Sequence, residues 1–342
     1  TWDSREGYRE ALSECVREEV EAFKKKSALA CNTVKARPGY EDLAALPMDE
    51  VLLPQYLDQR AAHGGMEWLE AADAVSAFEA LRDVQALGDK GDRDDREALT
   101  RFMDLINSDT DFGNGPSFWQ NVYKLWLERY ARLVNTDFQA KARRFVASYS
   151  EETGHQAHVY SPPSKSYASI KAREGRFGKP GHEGTEDRTV ASRILDVVRC
   201  SITTDTPEAI VGLVEAFREA GSKGSTWGKL ELVRLSNGFN PEAEGSPEDC
   251  ARSVTLCVLY HGGVRNVPRT DGQLKVSIVG EVKLLLPEFL TIKKSMHPLS
   301  RFLQEEDFEE RAVGHQVSTP SRPSRRKRSS FKMPGEEAAS RS

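Results

Sequence analysis

The sequence predicts an α+β protein in which an all-helical N-terminal region precedes a β-sheet flanked by helices. Three observations lead to this fold class. Apolar residues recur every three or four positions in residues 1–150, short β-rich runs alternate with helices in residues 151–310, and residues 311–342 are rich in Ser, Pro and Arg with few apolar side chains. We therefore expect a helical region, an α+β domain and a disordered tail.

The helical period is visible in four segments of the N-terminal region. Residues 3–26 place their apolar side chains on one face, and residues 66–82 and 93–106 repeat the pattern. Residues 116–149 form the longest periodic stretch, and Pro116 suits the first turn of a helix. The region is expected to form a helical bundle.

After residue 150 the pattern changes to short strands separated by helices. Residues 207–220 and 288–304 have the helical period. Four runs are typical of strands: residues 199–204, 230–235, 254–260 and 274–286. One sheet covered by helices satisfies this order of elements.

Composition restricts the class of protein. Hydrophobic residues make up 38% of the chain and charged residues 30%, and no apolar run approaches the roughly 18 residues that a membrane span needs. The five cysteines are scattered, without the C-x-x-C spacing of a zinc or dithiol site. We expect a cytoplasmic protein with reduced thiols and no membrane partner.

The C-terminal tail carries a basic run, Ser324-Arg325-Arg326-Lys327-Arg328-Ser329-Ser330-Phe331. Arginines before a serine are typical of sites for basophilic kinases, so Ser329 and Ser330 are candidate phosphorylation sites. The run also resembles a nuclear-localisation cluster, which makes a nuclear location the alternative to a cytoplasmic one. A purely solubilising tail explains the composition equally well.

A cluster of cations and hydroxyls occupies residues 162–173, where a loop runs into a helix. Lys165, Ser169 and Arg173 lie about one helical turn apart. Such donors at the start of a helix suit phosphate. From spacing alone, a helix-capping segment with a solvated basic face is the favoured alternative.

Two acidic residues stand on strands of the predicted sheet. Asp196 precedes Arg199 at the entrance of one strand, and Glu281 shares a strand face with Lys283. One acid from each of two neighbouring strands suits Mg²⁺ bridging substrate phosphates. Separate charges on a half-exposed sheet are the alternative.

The order of these motifs resembles the RelA/SpoT-like domain over residues 161–304. The matching segments are Lys165-Ser166-x-x-Ser169-Ile170, Leu195-Asp196-x-x-Arg199, Gly280-Glu281-Val282-Lys283-Leu284 and a following helix with His297-x-Leu299. The resemblance implies a mixed β-sheet flanked by helices, of the nucleotidyltransferase type. It also implies the activity of the family, transfer of pyrophosphate from ATP to the 3′-hydroxyl of a guanosine nucleotide.

The resemblance further implies roles for individual residues. Asp196 would bind Mg²⁺, and Glu281 would bind it or act as a general base. The nucleotide-binding positions would be Lys165, Ser169, Arg173, Arg199, Lys283 and Arg252.

Departures from the family pattern keep a second function open. Pro163 and Ser201 stand where arginines are expected, Lys283 stands where glutamine is usual, and residues 250–252 replace a Gly-Tyr-Arg segment whose tyrosine stacks on guanine. The first function is Mg²⁺-dependent pyrophosphate transfer between ATP and GTP or GDP. The alternative is a catalytically inactive pseudoenzyme that acts as a scaffold, with a protein partner on the helical region. No specific nucleic-acid partner is expected.

Overall fold

The fold is taken from a computed structural model, which describes residues 5–63, 116–177, 190–221, 230–243, 252–266 and 273–296. Its helices are α1 Arg5–Lys35, α2 Tyr40–Ala45, α3 Gln59–His63, α4 Pro116–Thr153, α5 Tyr167–Phe177, α6 Pro207–Ala220 and α7, residues 287–296. Its strands are β1 Asp49–Val51, β2 Ala157–Tyr160, β3 Arg199–Thr204, β4 Leu230–Asn237, β5 Val254–Asn266 and β6 Gln273–Leu285. Two 3₁₀ turns cover Pro54–Leu57 and Val190–Arg193.

The strands form one sheet in the order β1-β4-β5-β6-β3-β2. All neighbouring strands are antiparallel except β3 and β6, which are parallel. The chain crosses from β3 to β4 through α6. The N-cap of this helix is Thr206, whose Oγ1 accepts a hydrogen bond from the backbone N–H of Ala209. The predicted α+β class with a mixed, helix-flanked sheet is confirmed.

One face of the sheet, here called the helix-covered face, packs against α4 and α6. The rings of Phe145 on α4 and Phe217 on α6 lie 4.4 Å apart, and both side chains are buried. Phe138 on α4 lies so close to β6 that a Cβ on Gly280 would come within 3.0 Å of its ring. Glycine at this position therefore allows α4 to approach the sheet.

The opposite face, here called the charged face, carries an apolar patch at one end only. There Leu259 of β5 and Val279 of β6 pack with Ala62 of α3. The side-chain amide of Gln59 donates to the carbonyl of Val279 at 2.7 Å and accepts from its N–H at 3.0 Å. This buried side chain satisfies the backbone of β6 where β3 does not reach.

Most predicted elements in the described residues are present. Residues 199–204 and 207–220 form β3 and α6 with the predicted bounds, and the long helix at residues 116–149 extends to Thr153. The predicted helices at residues 66–82 and 93–106 lie outside the described residues, as does the tail. The described part of the chain contains no helix that is long and apolar enough to cross a membrane.

The sequence did not predict β1, which lies in the region read as helical. β1 pairs with β4, where Asp49 forms two hydrogen bonds with the guanidinium of Arg234. Three residues with two acids give no measurable period, so only the pairing identifies this strand. The division at residue 150 into a helical region and an α+β domain stays a prediction.

Candidate functional site

Asp196 is held at the start of β3 by apolar residues on both sides of it. Ile194, Val197 and Val198 are all buried, so the chain enters the sheet with little freedom. The carbonyl of Val197 accepts a hydrogen bond of 2.9 Å from the backbone N–H of Lys165. This backbone contact brings the loop before α5 alongside Asp196.

The side chains of Lys165 and Asp196 form an ion pair in this corner. Nζ of Lys165 donates to Oδ2 of Asp196 at 2.6 Å, and the two side chains are only 9% and 16% exposed. Burial opposes ionisation of Asp196, but the charges of Lys165, Arg173 and Arg199 outweigh it, and the pKa of Asp196 is lowered. Asp196 is therefore a carboxylate at neutral pH.

Glu281 and Lys283 lie on the charged face of β6. The parallel register places Glu281 beside Arg199 and Lys283 beside Ser201. Side chains at matched positions of neighbouring strands share a face, so these four residues line the same surface. Nζ of Lys283 lies 3.6 Å from Oε1 of Glu281.

The thiol of Cys257 lies beside Glu281 on this surface. Cys257 stands opposite Glu281 in the antiparallel register of β5 and β6. Burial raises the pKa of Cys257 to about 12, and the negative charges of Glu281 and Asp196 contribute to the increase. Both acids are thus close enough to act on the same thiol.

Helix α7 adds a cation that the sequence reading missed. Nζ of Lys293 donates to Oγ of Ser201 at 3.2 Å. Burial and the neighbouring charges of Lys283 and Arg199 lower the pKa of Lys293 to about 8, against the opposing effect of Glu281. Lys293 follows buried Ile292 and lies four residues after buried Phe289, at the border of the apolar stripe of α7. A lysine at that border is the signal that could have identified it.

These contacts define one group of side chains, here called the basic cluster: Lys165, Arg173, Asp196, Arg199, Glu281, Lys283 and Lys293. Cations therefore outnumber the two carboxylates within this cluster. The buried Nε of Arg199 has no hydrogen-bond partner. The arrangement is suited to an anion with several oxygen atoms.

Five other predicted positions lie apart from this arrangement or outside the described residues. Oγ of Ser169 is exposed on α5, 3.1 Å from Oγ of Ser166. Arg252 donates from Nη1 to the carbonyl of Gly238 at 2.8 Å, at the turn after β4. Ser329 and Ser330, together with His297 of the family motif, lie outside the described residues. The roles assigned to all site residues stay predictions.

The donor set of the basic cluster does not fit a resident Mg²⁺. This cation takes one or two carboxylates together with phosphate and water oxygens. Here each carboxylate has a lysine ammonium beside it, at 2.6 Å from Asp196 and 3.6 Å from Glu281. Among the described residues, no group of three or more His, Cys, Asp or Glu side chains is placed to hold a metal ion.

Comparison with known proteins finds similar structures but no matching sequence. No family model and no curated protein matches the chain. It is similar to small alarmone synthetase 2 from Bacillus subtilis, with 17% identity and a TM-score of 0.32, covering 56% of this chain and 91% of that one. It is also similar to small alarmone synthetase 1 from the same organism, with 17% identity, a TM-score of 0.31, and coverage of 55% and 95%. A structure of that synthetase bound to AMPCPP gives 16% identity, a TM-score of 0.30, and the same coverage of each chain.

Proposed function

We propose that the basic cluster binds the phosphate groups of a nucleotide. The observation that carries the proposal is the convergence of Lys165, Arg199, Lys283 and Lys293 around the carboxylates of Asp196 and Glu281. Partly buried cations keep much of their attraction for an anion because water screens them less than it screens surface charges.

The separate cations have complementary roles in this proposal. Arg199 lies between the two carboxylates, beside Glu281 in the sheet and close enough to Asp196 to lower its pKa. Its planar guanidinium carries several N–H donors that suit phosphate oxygens. Lys283 and Lys293 are point charges next to it, and a lysine binds phosphate from several directions.

The motif order at residues 165–173, 195–199 and 280–284 favours a nucleotide over other phosphorylated ligands. The resemblance gives ATP as the donor and GTP or GDP as the acceptor. The geometry favours the non-catalytic form of this function, because Asp196 is already neutralised by Lys165. The chain then acts as a nucleotide-binding scaffold.

Pyrophosphate transfer is the second candidate, and one observation favours it. The carboxylate of Glu281 stands next to Arg199 on the charged face, so a general base for the acceptor hydroxyl would lie beside the phosphate-binding cations. No step through a metal ion is part of this candidate, since the donor set does not fit one.

Calorimetric titration of the full chain with ATP, GTP and GDP tests binding. We expect saturable binding, and we expect Arg199→Gln to weaken it about tenfold, which corresponds to roughly 1.4 kcal/mol. The matched control is Arg132→Gln, because Arg132 is two-thirds exposed on α4 and pairs with Glu128. Absence of binding to all three nucleotides would refute the proposal.

Product analysis by chromatography separates the two functions. The chain is incubated with ATP and GDP or GTP, with and without Mg²⁺, beside its Glu281→Gln variant. The scaffold function predicts unchanged nucleotides in every sample. A guanosine polyphosphate that forms with the native chain and disappears with Glu281→Gln would establish transfer.

A further inference from the structure

We propose that this site binds its nucleotide without a divalent cation, and that lysine ammonium groups provide the positive charge that Mg²⁺ would otherwise supply. The inference rests on the proposed function, because it concerns the form in which the basic cluster takes a phosphorylated ligand. The ligand class is the metal-free polyphosphate of a nucleoside di- or triphosphate.

Lys165 occupies the place next to Asp196 that a metal ion would need. Its Nζ lies 2.6 Å from Oδ2 of Asp196, and its backbone N–H is fixed by the carbonyl of Val197 at 2.9 Å. The ammonium therefore lies where a cation bound to Asp196 would lie. A metal ion at this oxygen would have to displace a buried charge from its partner.

Glu281 on β6 also has an ammonium group beside it. Lys283 is two residues after Glu281 on the same strand face, and its Nζ lies 3.6 Å from Oε1. Both carboxylates that could coordinate Mg²⁺ thus have their own ammonium group. The two-residue spacing directs both side chains to the charged face, so the geometry of the strand itself places Lys283 beside Glu281.

The charge balance of the basic cluster favours the metal-free ligand. Lys165, Arg199, Lys283 and Lys293 already lie around the two carboxylates, and a divalent cation would add two more positive charges to this surface. A free triphosphate carries two more negative charges than its Mg²⁺ complex. The free form therefore complements the cluster better.

Lys293 adds a cation from helix α7 to the site. It comes from helix α7, whereas Arg199, Glu281 and Lys283 come from β3 and β6, and its Nζ donates to Oγ of Ser201 at 3.2 Å. It extends the positive surface beyond the two ion pairs. Its loss is expected to weaken binding of the metal-free polyphosphate, while Lys294, its exposed neighbour on α7, provides a matched control.

The experiment is a calorimetric titration of the full chain with ATP, once in EDTA and once in excess Mg²⁺. The inference predicts binding in EDTA that becomes about fivefold or more weaker in Mg²⁺. Lys293→Met is expected to lower the affinity in EDTA at least fivefold, Lys293→Arg to retain it, and Lys294→Met to leave it unchanged.

Lys165→Met provides the second readout, because it leaves the Asp196 carboxylate without its ammonium partner. We expect Mg²⁺ to strengthen ATP binding to this variant, in contrast to its effect on the native chain. Binding to the native chain only when Mg²⁺ is present would overturn the inference and leave the proposed function intact. Absence of binding in both conditions would refute the proposed function, and the inference with it.

Discussion

The two faces of the sheet bury side chains of opposite kind. The helix-covered face excludes water with aromatic and aliphatic groups from α4 and α6, and Phe138, Phe145 and Phe217 are all at most 3% exposed. The charged face instead holds ionised groups that neutralise one another, among them the pair of Lys165 and Asp196. The same strands serve both, because successive residues point to opposite sides.

Two buried titratable groups, His63 and Asp196, show how the surroundings of a group determine its charge. His63 packs between the rings of Trp126 and Tyr130, and burial lowers its pKa to about 4 despite the charge of Asp58. Asp196 is also largely buried, yet its pKa falls because Lys165 and two arginines favour the charged form. Burial alone favours the neutral form of a titratable group, whereas burial beside groups of opposite charge favours its charged form.

The largest expected change in stability comes from a substitution on the helix-covered face. Phe138→Ala removes a fully buried ring that packs against Gly280 and lies 6.0 Å from the ring of Tyr260. We expect a loss of about 4 kcal/mol in the free energy of unfolding, from lost burial and the cavity that remains. Urea denaturation followed by circular dichroism measures it.

Thr136→Ala, at an exposed position of the same helix, is the control for that measurement. Its free energy of unfolding should change by no more than about 0.5 kcal/mol. A comparable loss for both variants would show that α4 itself, and not the packing of Phe138, determines the effect.

The second effect is a dependence of stability on pH caused by His63. Its folded pKa of about 4 lies below the usual 6.5, so the unfolded chain binds more protons between these values. The contribution is complete above pH 6.5 and falls by about 3 kcal/mol as the pH drops to 4. His63→Gln should remove this slope between pH 6.5 and 4, as measured by urea denaturation at a series of pH values.

His158→Gln changes an exposed histidine on β2 and serves as the comparison. It should keep the slope of the native chain. A slope that persists in His63→Gln would assign the pH dependence to other groups.

The helix-covered face is the part of the molecule that sequence patterns describe well. α6 has the predicted bounds because buried residues such as Ile210, Leu213 and Phe217 repeat with the helical period, and β3 has them because it is a short β-rich run that is buried along almost its whole length. Hydrophobic period depends on neighbours a few residues away, so it can be recognised along the chain. β1 has only three residues and shows no period, and its existence depends on pairing with β4.

The charged face depends on contacts that are distant in sequence. The spacing of Lys165 and Asp196, 31 residues apart, gives no indication that they form an ion pair. Motif order suggested that both belong to one site, but it assigned Asp196 to a metal and Lys165 to a phosphate. The partner of Ser201 on α7 was missed because Lys293 lies 92 residues away, outside any local pattern.

A third, smaller effect concerns the ion pair at the centre of the charged face. Asp196→Asn leaves the ammonium of Lys165 without its counter-ion, and we expect a loss of about 2 kcal/mol in the free energy of unfolding. In a double-mutant cycle with Lys165→Met, the double variant should lose less than the sum of the two single variants. Additive losses, measured by urea denaturation, would show that the two charges do not interact.

The smallest expected effect lies at the edge of the same sheet, where Arg234 of β4 pairs with Asp49 of β1. The geometry is bidentate, with two hydrogen bonds of 2.7 Å, but the side chains are 40% and 41% exposed. Water and salt screen such a pair, so Arg234→Gln should cost about 0.5 kcal/mol, and the cost should shrink further in 1 M salt. Urea denaturation at low and high salt measures both values. A loss as large as that of Asp196→Asn would mean that β1 depends on this ion pair for its place in the sheet, since exposure alone predicts a minor role.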